Sequence, residues 1–91
     1  MAERYDVAIK VISQKGFCAD GHKVGDEWVI DAQSDKTTGG ICLDAFDALY
    51  PYMKTLMFGG SFPWSDDPDT VKVVCSDPEN PVVFELRRLT K

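Results

Sequence analysis

One stretch constrains the fold more than any other: ICLDAFDALYPYMKTLMFGG, residues 41–60. Cys42, Ala45, Phe46, Leu49, Met53, Leu56 and Met57 recur there at three- and four-residue spacing, the period of an amphipathic helix. Asp44, Asp47 and Lys54 fall largely between them. Thr38 or a nearby glycine can cap the start, and Gly59-Gly60 supplies the stop. Pro51 interrupts the pattern. Its missing N–H and the clash of its ring with the preceding turn predict a kink, or a split into two short helices near Tyr50. No other long stretch keeps the helical period, so the rest of the core must come from strands.

Four segments fit that role. In YDVAIKVIS, residues 5–13, Val7, Ile9 and Val11 alternate with Ala8, Lys10 and Ile12. Both sets carry apolar residues, which predicts a mostly buried strand. Val24-Gly25-Asp26 reads as a turn feeding a short strand over 27–31, with Trp28 and Ile30 on one face and Val29 on the other. VKVVCS, residues 71–76, puts Val71, Val73 and Cys75 on one face. VVFELRRL, residues 82–89, turns Val82, Phe84 and Leu86 inward. The turn DPENP between the last two predicts an antiparallel hairpin. The expectation is a single domain over 1–91 of class α+β, in the order β-β-α-β-β. Its helix lies on one face of a small antiparallel sheet, or closes a partly open barrel.

Composition limits the partners. The chain has 15 acidic and 10 basic residues, a net charge of -5. Nucleic acid and anionic membrane surfaces are therefore disfavoured, since both need concentrated Lys and Arg. The one basic cluster, Arg87-Arg88 with Lys91, reads as a solvated strand end. No stretch reaches the length of a transmembrane helix. MAERYDVAIK has charges where a signal peptide would be apolar, so the expected location is the reducing cytoplasm.

The chemistry-bearing residues are few. The chain has three cysteines, Cys18, Cys42 and Cys75, and a single histidine, His22. An odd thiol count in a reducing compartment points to free thiols or metal ligation rather than a disulfide framework. On the predicted map all four lie at element ends, and in a compact domain such ends can gather on one rim. Three thiolates and one imidazole make a full tetrahedral set for zinc, or a set for iron. Thiolates neutralise the cation, and imidazole fills the fourth corner without adding charge. Separate roles remain open: Cys75 as a small core residue, Cys42 as a packed or reactive thiol near a helix start, and His22 as a plain loop residue. SDDPD lacks the spacing of a calcium loop and reads as a solvated loop. FGGSFPW offers Phe62 and Trp64, which either fold back on the core or form a partner-binding edge or a lid. No phosphate-binding glycine loop and no nucleophile elbow occurs.

The motifs C-x3-H-K-x-G-D, G-x-C-x-x-A-F, G-G and C-x-D-P-x-N-P-V-V-F span nearly the whole chain. They are carried by Cys18, His22, Lys23, Gly25 and Asp26; by Gly40, Cys42, Ala45 and Phe46; by Gly59 and Gly60; and by Cys75, Asp77, Pro78, Asn80 and Pro81 to Phe84. This pattern resembles a family of small, uncharacterised bacterial and archaeal proteins of about this length. The resemblance implies no reaction and no substrate. It implies only that the three cysteines and the histidine belong to one motif set.

The leading expectation is thus a small cytoplasmic protein with a Cys18, His22, Cys42 and Cys75 site for zinc or iron. Two alternatives stand beside it. One is a metal-free protein-interaction module using the Phe62/Trp64 loop, with a protein partner or a homodimer. The other is a small thiol or redox enzyme with Cys42 as the reactive cysteine.

Overall fold

A computed structural model describes residues 4–15, 23–32, 43–74 and 81–89, apart from the side chains of residues 43 and 44. It contains strands β1 (Asp6–Gln14) and β2 (Glu27–Ile30), helix α1 (Leu43–Met57), and strands β3 (Thr70–Val74) and β4 (Val82–Leu89). The four strands form one antiparallel sheet in the order β2-β1-β4-β3, with α1 on one face. The class is α+β, and the last two strands pair as the expected hairpin. The sheet is open: β2 and β3 end up at opposite edges, so the barrel alternative is not adopted.

Alternation builds the core. Val7, Ile9 and Val11 of β1, Val71 of β3, and Val82, Phe84 and Leu86 of β4 are buried on one face of the sheet. Ala45, Leu49, Met53 and Leu56 of α1 close over them. Each large side chain so buried stabilises the fold by about 1.5–3 kcal/mol. Among the described residues no second layer lies on the other face, yet β1 is mostly covered, as expected: of its nine residues only Lys10 and Ser13 are exposed. Lys10 is exposed on that face, and Ala8 is buried there between its cross-strand partners Val29 and Arg87. The pairing of β1 with β4 slips between Val11 and Ser13, a bulge that leaves Ile12 half-buried.

α1 runs unbroken through Pro51, against the expected split near Tyr50. Pro51 is exposed, so its ring projects from the solvent side. Leu49, Met53 and Leu56 stay in phase across it, and their burial outweighs the lost hydrogen bond. The helix ends as its glycines predict. Gly59 takes a φ of 89°, its N–H donates to the Leu56 carbonyl, and the Gly60 N–H donates to the Thr55 carbonyl at 2.8 Å. This is the paired 5→2 and 6→1 pattern of a Schellman cap.

Candidate functional site

Hydrogen bonds define which element ends share a rim. The Lys15 N–H donates to the Pro81 carbonyl at 3.0 Å, so the exit of β1 lies beside the entry of β4. Gln14 pairs with Val82, and Val74 with Val83, which brings the exit of β3 to the same end. The turn before β2 returns there too: the Gly25 N–H donates to the Val11 carbonyl, and the Lys23 N–H to Asp26 Oδ2. Gly25 makes that turn with a φ of 98°.

The direction of α1 completes the rim. Its last residue lies at the far end, where the Tyr5 N–H donates to the Met57 carbonyl at 2.8 Å. A helix of this length spans roughly 22 Å. Ala48 lines a hollow with Val73 and Val74, so the first turn points toward the end from which β3 exits. Lys15, Lys23, Leu43, Val74 and Pro81 therefore all belong to one end of the sheet.

Cys18, His22, Cys42 and Cys75 lie outside the described residues, as do Asp77, Pro78 and Asn80. Their described neighbours are informative. His22 immediately precedes Lys23, Cys42 precedes Leu43, Cys75 follows Val74, and Cys18 lies three residues beyond Lys15. Lys15, Lys23, Leu43 and Val74, the described residues nearest to them in sequence, all belong to the rim just outlined. Among the described residues, no group of three or more His, Cys, Asp or Glu side chains is arranged to hold a metal ion.

Phe62 and Trp64 part company. Phe62 folds back, half-buried against the core, with its ring 5.5 Å from Tyr52 and 5.0 Å from Trp64. Trp64 is 67 % exposed and walls two open hollows beside β3. One, of about 420 Å³, includes Ala48 and Tyr52; the other, of about 340 Å³, includes Asp66, Lys72, Glu85 and Arg87.

Arg88 corrects the reading of a solvated basic end. It is buried, and its guanidinium gathers three elements at the end of the sheet opposite the rim. Nη1 donates to the carbonyls of Leu56 and Gly60 at 3.1 and 2.7 Å, and Nη2 to that of Pro68 at 3.0 Å. Nε donates to Asp69 Oδ1 at 2.9 Å, and the cation lies over the Tyr5 ring. A cation at the last carbonyls of a helix also opposes the helix dipole. Arg87, half-exposed, pairs with Asp67 at 3.3 Å. Asp67 and Asp69 are therefore structural rather than merely solvated; Asp67 Oδ1 accepts from the Asp69 N–H at 2.9 Å. The sequence did hold the signal for Arg88: it continues the inward series Val82, Phe84, Leu86.

No family model, curated protein or solved structure matches this chain. Among the described residues no helix is long and apolar enough to cross a membrane.

Proposed function

We propose that this chain is a small metal-binding protein whose site is Cys18, His22, Cys42 and Cys75, with zinc or iron as the metal. One observation supports the reading: the described residues beside His22, Cys42 and Cys75, and Lys15 three positions before Cys18, lie on one rim of the sheet. Three of the four are one peptide step, about 3.8 Å between Cα atoms, from a described residue of that rim. A four-ligand set of this kind leaves no open position, so its role is to hold the fold or, with iron, to carry an electron. With only three protein ligands, a water or substrate would occupy the fourth corner.

The test is a thiol-labelling time course with iodoacetamide at neutral pH, before and after a strong chelator. The expected result is joint protection of all three cysteines, lost together on chelation. Fast labelling of Cys42 alone, unchanged by chelator, would replace this reading with that of a reactive thiol at a helix start.

A further inference from the structure

The sheet face away from α1 carries an unusual order of charge. The strand register aligns Lys72 of β3 with Glu85 of β4, Glu85 with Lys10 of β1, and Lys10 with Glu27 of β2. The charges thus alternate, cation to anion, across the full width of the sheet. Cross-strand attraction alone would account for such a row on a solvated face. It does not account for the apolar residues around it: Val29 and Val74 are 45 % and 50 % exposed, and Leu89 38 %. Among the described residues, Lys10, Lys72 and Glu27 enter no ion pair.

We propose that this face is the interface of a homodimer, in which two copies stack sheet on sheet about a two-fold axis parallel to the strands. The charge row selects that geometry. A row of even length with alternating sign becomes its own complement when reversed. The axis lays β3 over the β2 of the second copy and β4 over its β1. Lys72 then meets Glu27 of the partner subunit, and Glu85 meets Lys10 of the partner subunit. An axis along the row would instead place each lysine on its own copy. Like-charge contacts of that kind cost several kcal/mol, which is how charge fixes register in an interface.

Size follows the same rule. The next row reads Thr70, Arg87, Ala8 and Val29. Reversal sets the long Arg87 side chain over the small Ala8 of the partner subunit. Trp64, just outside β3, reaches the outer edge of the second copy's β2, where Val29 is exposed. Aligned sheets pack about 10 Å apart, a gap that lysine and glutamate side chains can span together. This interface is independent of the metal reading, since it uses none of Cys18, His22, Cys42 and Cys75.

Sedimentation equilibrium of the full chain under reducing conditions tests the proposal. The expected mass is twice the 10.1 kDa of one chain. K72E and E27K should each weaken the dimer at least about tenfold, because each sets like charges across the interface. An equimolar mixture of the two variants should dimerise again, since Glu at 72 then meets Lys at 27 and Glu27 meets Lys72. Circular dichroism and melting confirm that each variant is folded. Should a charge variant fail to fold, V29D at an exposed site provides the same readout, with loss of the dimer expected. A monomer at every concentration, single variants that dimerise like the wild type, a mixture that stays monomeric, or an undiminished V29D dimer would each overturn the proposal.

Discussion

Replacing Arg88 with methionine is expected to lower folding stability by about 3 kcal/mol, in the range seen when one partner of a buried charged network is removed. Methionine keeps much of the volume but donates no hydrogen bond. The part-buried Gly60 and Pro68 carbonyls lose the guanidinium donor, and the Leu56 carbonyl keeps only the Gly59 N–H. Asp69 contributes less to the loss, because its side chain is 37 % exposed and can rehydrate once unpaired. In a domain of this size each kcal/mol moves the midpoint by roughly 4–8 °C, so thermal unfolding should shift down by at least about 12 °C. Arg88→Lys should recover part of the loss, since an ammonium reaches some of the carbonyls but cannot hold the same fork of donors. A shift of only a degree or two for Arg88→Met would mean that the guanidinium network contributes little.

Phe84→Ala should be comparably costly or worse, about 3–5 kcal/mol by urea denaturation. Phe84 is fully buried, the third residue of β4, opposite Val11 on one side and Val73 on the other, with the Trp28 ring centroid 6.5 Å away. Truncation leaves a cavity between central strands that the pleated backbone cannot easily close. Phe84→Leu should cost under about 1.5 kcal/mol, because most of the volume is kept. If alanine were no worse than leucine, the site would not be packed as described.

The contrast between these two residues shows how the sequence encodes the fold. Phe84 was legible from alternation alone, as were Val7, Ile9, Val71, Val82 and Leu86, because a one-face-buried strand writes burial at period two. Arg88 obeys the same period, but its charge overrode its position in the reading. A long side chain can bury its stem and guanidinium when carbonyls and a carboxylate lie within reach, and those come from residues 19 to 32 positions away in sequence. The continuous helix at Pro51 has a related cause. Local rules put a break there, and burial of Leu49, Met53 and Leu56 on both sides of the proline overrides them. The covering of β1 was legible too, because both of its alternating sets carry apolar residues: Val7, Ala8, Ile9 and Val11 are buried, and only Lys10 and Ser13 of the strand are exposed. For the candidate site, the sequence supplied the four proposed ligands and the elements they adjoin in the chain. The common rim came from the register of β1, β3 and β4 and the direction of α1, none of which a linear pattern records.

The metal content of the purified protein tests the central claim most directly. The chain should be prepared anaerobically without a histidine tag, so that neither oxidation of the thiols nor a tag alters the result, and analysed for all transition metals. Because a site gathered only in the native state couples metal binding to folding, the ion should survive purification. The account predicts about one equivalent of zinc or iron per chain, as a single four-ligand site requires. It also predicts loss of that metal on substituting Cys18, Cys42 or Cys75 with serine. Less than about a tenth of an equivalent of any transition metal in folded protein would contradict a tight site of this kind.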